Sequence, residues 1–275
     1  MTVGSQIKRL GSETLIYGIS GTLSRLITIF LVPFYARAFP PSEYGYINIV
    51  NAMIALLSSF IVLGLDSASA RWYYDTEDRD RRQRLMSSWF WCQMMAGVLI
   101  GAGLVLMARP LAAALLDDAA RANIIMLAGR VALLRTVGKV LGTWLRYQRR
   151  AWTAMLFFTF SSLVIIGGIV LFVLVLRGGM TGLFVGQVVA GLLAAGIAVW
   201  LLRGWIAPGK VTLPLLREML IYGLPLVPAA LAGWVTMSAD RFILKGFVPA
   251  AEIGLYGAAS ALASGMLLVT GAFQM

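Results

Sequence analysis

Apolar residues fall along this chain in long unbroken runs, not in the alternation of a strand or the three-and-four spacing of a surface helix. Eight runs approach the roughly twenty residues that a helix needs to cross a bilayer. They lie near 12–36, 46–70, 86–107, 122–145, 153–176, 181–202, 217–238 and 251–272. Continuous runs exclude a membrane β-barrel, whose strands alternate apolar and polar positions. Glycine and proline are scattered through the runs, which helices in lipid tolerate better than helices in water. The polar segments between them are short and leave no room for a soluble domain. The pattern predicts an all-α polytopic membrane protein of about eight transmembrane helices.

Composition agrees: 60% of residues are hydrophobic, 13% are charged and mean hydropathy is +0.84, where a soluble domain carries about a quarter charged residues. The net charge of +11 is explained by where the cations sit. With the N-terminus inside, thirteen Lys and Arg fall on the cytoplasmic side, from Lys8 and Arg9 through Arg71 to Arg84, Arg146 to Arg150, and Arg203 to Arg217. Six fall outside: Arg37, Arg109, Arg121, Arg177, Arg241 and Lys245. This bias predicts a cytoplasmic N-terminus and both termini inside. The excess then faces anionic membrane lipids, and no nucleic-acid partner is needed. A cleaved secretory leader is not expected, although Lys8 and Arg9 precede the first run and Ala36, Arg37 and Ala38 resemble a cleavage site. That run is too long for a leader and contains Arg25.

The chemistry of metals and nucleophiles is nearly absent. There is no His and one Cys, so no transition-metal site and no Ser/His/Asp set is expected, and the chain does not read as an enzyme. Cys92, beside Trp91 in the third run, is a packing residue in this view. Asp78-x-Asp80 has a spacing with which sugar-nucleotide transferases hold a divalent metal. Here it sits among Arg79, Arg81 and Arg82 without a nucleotide-binding domain, as a solvated charged loop. The segment from Arg109 to Arg121, with Asp117 and Asp118, is expected to be an ordinary outer loop. No cofactor is implied.

Charged residues inside the runs carry more information, because charge in lipid is costly and is kept for a cavity, a pathway or a partner. Arg25 falls in the middle of the first run. The fourth run, NIIMLAGRVALLRTVGKVLGTWLRY, holds Arg130, Arg135 and Lys139 with no acid of its own. Arg135 and Lys139 share a helix face, and Arg130 lies well round from both. Such a stripe is satisfied by an aqueous cavity or an anionic ligand, phosphate in particular, or by a carboxylate on another helix such as Asp66. Asp66 itself either binds a cation or proton, or neutralises Arg25 or the fourth run. Asp240 and Arg241 close the seventh run, as an outer-side pair or as interface anchors.

One feature occurs twice. Residues 35–50, YARAFPPSEYGYINIV, and residues 240–260, DRFILKGFVPAAEIGLYGAAS, align Phe39, Pro41, Glu43 and Gly45 with Phe247, Pro249, Glu252 and Gly254. Tyr17-Gly18 and Tyr222-Gly223 mark matching earlier points, with a drift of four residues in register. Gly18 and Gly21 open the first run, and Pro225 and Pro228 interrupt the seventh and should each bend it. Breaks at corresponding places in two halves point to a transporter's binding region.

SRLITIFLVPFYARAFPPSEYGYINIV, LGLDSASARWYYD and ADRFILKGFVPAAEIGLYGAAS together closely resemble the polysaccharide-synthesis flippases, the Wzx-like lipopolysaccharide and O-antigen transporters. That group is similar to the lipid II flippases and, more distantly, to the multidrug and toxic compound extrusion transporters. The resemblance implies two six-helix lobes around a central cavity, with the first and seventh helices bent at equivalent places. It implies export of polyprenyl-diphosphate-linked (undecaprenyl) oligosaccharide across the bacterial inner membrane by alternating access, with membrane lipids, a polysaccharide polymerase and glycosyltransferases as partners. By the same resemblance Arg25 takes the cationic position of the first helix, Asp66 the Gly-Leu-Asp-Ser step, and Asp240 and Arg241 the Asp-Arg step ending the seventh. Residues 1–205 then form the first lobe, and 206–275 form a cytoplasmic linker and the first two helices of the second, so the chain is expected to be a fragment or a truncated product. An ion-coupled multidrug antiporter, a membrane-embedded glycosyltransferase or polymerase, and a non-transporting truncated fragment are the competing readings. The first needs acids in the cavity, and the second needs catalytic carboxylates or a His in a sizeable loop.

Overall fold

The computed structural model describes residues 33–35 and 37–263. Among these, the helices are α1 (Pro41–Val62), α2 (Leu65–Tyr74), α3 (Arg79–Leu116), α4 (Ala122–Tyr147), α5 (Ala151–Val170), α6 (Gly179–Leu202), α7 (Leu213–Gly223), α8 (Val227–Lys245) and α9 (Ala250–Ala263). Short 3-10 turns at Ala119–Arg121, Pro208–Lys210 and Leu224–Leu226 join some of them, and α5 ends in a π turn at Leu171–Val175. No strand occurs among the described residues. Five stretches are long and apolar enough to cross a membrane. Helix α4 is as long as most of these but carries Arg130, Arg135 and Lys139. Arg25, Gly18 and Gly21 lie outside the described residues, as does the end of the eighth run.

The second and third runs differ from the sequence expectation. The third run is extended at both ends into a 38-residue helix, because Asp78 caps its N-terminus by accepting from the backbone N–H groups of Asp80 and Arg81. At the other end Ala and Leu residues carry the helix through Pro110 to Leu116, so Arg109 is helical and not in a loop. At 1.5 Å per residue this helix is about 57 Å long, well beyond the roughly 30 Å hydrocarbon core, so its ends project. The second run is broken: Leu63 (φ 51°) and Gly64 (φ 69°) both adopt the left-handed conformation, which ends α1 and starts α2.

The prolines of the seventh run act together. Pro225 lies in the 3-10 turn, and Pro228 sits in the first turn of α8, where a missing N–H costs nothing. The run therefore breaks once, at Leu224–Leu226, and Pro228 opens the following helix instead of bending it.

Buried apolar side chains form two clusters, one above the other along the bundle. The first joins α1, the C-terminal half of α3, the N-terminal half of α4 and the N-terminal half of α6. The second joins α2, the N-terminal half of α3, the C-terminal half of α4, the C-terminal half of α6 and α7. Each long helix changes cluster near a polar residue: Gln93 on α3, Arg135 on α4, Ser161 and Ser162 on α5, Gln187 on α6. A polar layer thus divides the apolar core.

The repeated segments meet each other. A Cβ placed on Gly45 would fall on the carbonyl of Ala250 and 3.2 Å from the nitrogen of Gly254. A Cβ on Gly254 would fall on the carbonyl of Pro41 and 3.1 Å from the nitrogen of Gly45. Only glycine permits this backbone contact between α1 and α9, as small residues do where membrane helices cross. Gly257 faces Asn48 one turn further on, and Trp234 of α8 donates its Nε1–H to the carbonyl of Ala52, 2.9 Å away.

Candidate functional site

A cavity of about 290 Å³ opens in the polar layer between α4, α5 and α6. Arg135, Lys139 and Arg146 enter it from α4, Ser161 and Ser162 from α5, and Gln187 from α6. The three cations recur at intervals of four and seven residues, so one helix face carries them all. Phe157, Phe158 and Ile165 supply apolar wall. Gly138, between the first two cations, leaves room in front of Phe157, which a Cβ would approach to 3.8 Å.

The cations are not equivalent. Arg135 donates from Nη2 to Oε1 of Gln187 at 2.9 Å, a neutral acceptor. Arg146 donates to the Thr143 hydroxyl at 2.9 Å. Lys139 pairs with Asp66 at 2.7 Å, with 56% of its side chain still exposed against 19% for the acid. Of the two readings that the sequence leaves open for the fourth run, pairing with Asp66 describes Lys139, whereas Arg135 lines a cavity without a carboxylate partner among the described residues. Arg130 is exposed and does not line the cavity.

Asp66 is held from several sides. Gln93 donates from Nε2 to its carboxylate at 3.1 Å and to the Val62 carbonyl at the same distance. The Asp66 carbonyl accepts from Ser69 Oγ at 2.8 Å and from the Tyr147 hydroxyl at 3.1 Å. Gln93 Oε1 and Ser161 Oγ are buried without a hydrogen-bond partner among the described residues, so the layer keeps unused polar capacity.

At one end of the bundle Asp117 accepts from Tyr46 at 3.0 Å and pairs with Lys245, joining α1 and α3 to α8. Lys245 holds the Asp117 carboxyl below its ordinary value, against a smaller upward push from partial burial and with help from Tyr46. Asp240, on α8, pairs with Arg241 at 2.7 Å and accepts from Tyr256 at 2.6 Å. At the opposite end Asp80 pairs with Lys210, and with Arg84 at 2.7 Å. Asp80 is therefore occupied by cations, and among the described residues no group of three metal-ligating side chains assembles.

Sequence reasoning missed Arg146, which it placed in a loop although its spacing from Lys139 marks the shared face. It also missed Gln187, Ser161 and Ser162, which no spacing within one helix could connect to Arg135.

The profile of a family described as "Polysaccharide biosynthesis protein" matches residues 10–272. Among solved structures, the chain is similar to the MATE multidrug transporter DinF-BH, at 15% identity and a TM-score of 0.71 over 95% of this chain and 61% of that one. A multidrug resistance MATE transporter in an inward-facing conformation matches at 16% identity and a TM-score of 0.61, over 86% and 60%. A MOP superfamily transporter from Pyrococcus furiosus, described as having a binding pocket of reverse polarity, matches at 20% identity and a TM-score of 0.60, over 95% and 67%. At such identities the likeness establishes the fold. The chain spans about three fifths of the length of the first two. No curated protein matches the chain.

Proposed function

This chain belongs to the polysaccharide biosynthesis protein family, and we propose on that premise that it moves an oligosaccharide linked to a polyprenyl diphosphate across the bacterial inner membrane. Its fold is that of the MOP-superfamily transporters, and its apolar helices make it a multi-pass membrane protein. In this reading residues 1–205 are the first lobe and 206–275 begin a second. The Asp80 end faces the cytoplasm, where the cation count places it, and the Asp117 end faces outward.

The observation that carries the proposal is the guanidinium of Arg135, set in the cavity with a neutral partner and no carboxylate among the described residues. A cation at the centre of a spanning helix costs about 2.5–3.5 kcal/mol even on the lenient scale. Such a group is retained where a ligand completes it, and a planar guanidinium suits the paired oxygens of a phosphate. The volume of about 290 Å³ lies at the lower limit of ligand pockets. It suits a diphosphate with its first sugar, leaving the polyprenyl chain in lipid. A multidrug antiporter is the second reading, favoured by the multidrug transporters that share the fold and by the carboxylate of Asp66 in the layer.

The test is Arg135→Gln introduced at the native gene. Surface polysaccharide should fall at least tenfold while the protein stays in the membrane at its normal level. Unchanged polysaccharide overturns the proposal, and increased sensitivity to cationic dyes with normal polysaccharide supports the antiporter.

A further inference from the structure

Lys139 belongs to two sites at once. It lines the cavity beside Arg135, and its ammonium closes the ion pair with Asp66. Asp66 in turn stands in the first turn of α2, two residues after Gly64. There α1 and α2 are broken, and the backbone meets the other broken helix: a Cβ on Gly64 would strike the carbonyl of Gly223, and one on Gly223 would lie 2.9 Å from the carbonyl of Leu63. Among the described residues three polar ties fasten the first half of α2 to α4: the Lys139 ion pair, the Tyr147 hydroxyl on the Asp66 carbonyl, and the hydrogen bond between Ser69 Oγ and the same hydroxyl at 3.0 Å. One of these ties is electrostatic and within reach of any anion in the cavity.

We propose that Asp66 is an internal counter-ion which competes with the substrate's phosphate for Lys139, so that substrate binding loosens the break at Leu63–Gly64. This rests on the anion-site reading above and goes beyond it, because it assigns Asp66 a positioning role outside the cavity. Three observations support it. Lys139 is half exposed although paired, so an incoming anion reaches it without first unpacking the core. The acid has a reserve partner in Gln93, whose Nε2 already donates to Oδ1, and it lies at the N-terminus of α2, where the helix dipole favours an anion. It therefore tolerates losing Lys139 better than an isolated buried carboxylate would. A diphosphate brings more negative charge to Lys139 than one carboxylate does, and Arg135 and Arg146 add to its attraction alone. Among the described residues, the groups facing Asp66 are Lys139 and Tyr147 from α4, Gln93 from α3 and Ser69 from α2 itself.

The experiment measures binding of farnesyl diphosphate to the purified chain in detergent by isothermal titration calorimetry. Asp66→Asn removes the competitor and should tighten binding on the order of tenfold, within the usual range of coupling between sites. Lys139→Met should weaken it, and Asp66→Asn made on top of Lys139→Met should change nothing further, because the competition passes through Lys139. Asp66→Glu keeps the charge and should retain the original affinity. If Asp66→Asn does not yield folded protein, Asp66→Ser serves the same comparison. Unchanged or weaker binding by the neutral variants, with the original chain binding and Arg135→Gln losing affinity, overturns the counter-ion role and leaves the anion site standing. No binding by the original chain overturns the anion-site reading and this inference with it.

Discussion

The α1–α9 crossing and the meeting of Gly64 with Gly223 are both backbone-to-backbone contacts between the early and late parts of the chain, but they are built differently. At the first, two continuous helices touch through equivalent residues of the repeat, Gly45 and Gly254, each of which lies against the other and against a carbonyl of the opposite helix, Ala250 for Gly45 and Pro41 for Gly254. The contact is reciprocal, as at a twofold axis. At the second, two interruptions touch: the left-handed pair Leu63 and Gly64 against the turn that follows Gly223. A reciprocal contact between unbroken helices acts as a fulcrum, since neither backbone has a soft dihedral to yield. A contact between breaks is a hinge, where φ and ψ can absorb displacement. The polar layer with Asp66 lies beside the hinge and not beside the fulcrum.

The largest effect should come from the fulcrum. Gly45→Ala and Gly254→Ala each put a methyl group where a carbonyl stands, and each should cost about 1–3 kcal/mol or more, the range for overpacking. The measurement is the melting temperature of the purified variants in detergent. Because both changes force the same two helices apart, the double variant should melt only slightly below the worse single one. Additive losses would show two independent contacts and would break the fulcrum description.

At the hinge, Gly64→Ala places a side chain at φ 69°, which costs about 1–2 kcal/mol in the left-handed region, and it also crowds the Gly223 carbonyl. The break can shift to relieve the crowding, so the loss should be smaller than at Gly45 despite a similar overlap. Leu63→Gly removes strain at φ 51° and gives up the packing of a partly buried leucine, leaving stability close to the original. Thermal melting of the two variants checks this, and a loss at Gly64 that equals or exceeds the loss at Gly45 would erase the distinction.

How legible these features are follows from how each is encoded. The spans are written in hydropathy, and the break at Pro225 in a residue that cannot donate. The fulcrum is announced by the repeat itself, since Gly45 and Gly254 occupy matching positions, although nothing in the sequence says that the two copies touch. The hinge at Leu63–Gly64 is not legible, because a single glycine in an apolar run is ordinary and leucine gives no hint of a left-handed conformation. Within the candidate site, the shared face of Arg135 and Lys139 follows from helical spacing. The choice of Asp66 for Lys139 alone, and of Gln187 for Arg135, depends on how α2, α4 and α6 are placed in space. Asp78 reads as part of a solvated loop because its capping role needs the helix start that it creates.

The smallest effect belongs to the ion pair that ties the fulcrum end together, Lys245 with Asp117. The acid side chain is 58% exposed although that of Lys245 is only 14% exposed, so water screens the pair from the acid's side and its contribution should be about 0.2–1 kcal/mol. Lys245 keeps the folded-state pKa of Asp117 depressed, so the unfolded chain takes up a proton first as pH falls. The stability from this pair is therefore complete above the ordinary carboxylate value of about 3.9 and is lost as pH falls through the depressed folded value. Lys245→Met should lower the melting temperature by roughly 1–3 °C at neutral pH, and the gap from the original chain should close both in acid and in about 1 M salt. Asp80 at the other end and Asp240 on α8 keep their own cations in this variant, so the acid sensitivity that they contribute remains in common. A loss larger than that of Gly64→Ala, or one indifferent to pH and salt, would mean that Lys245 holds α8 by packing its stem on Tyr46, over whose ring its ammonium lies at 5.4 Å, and not by its charge.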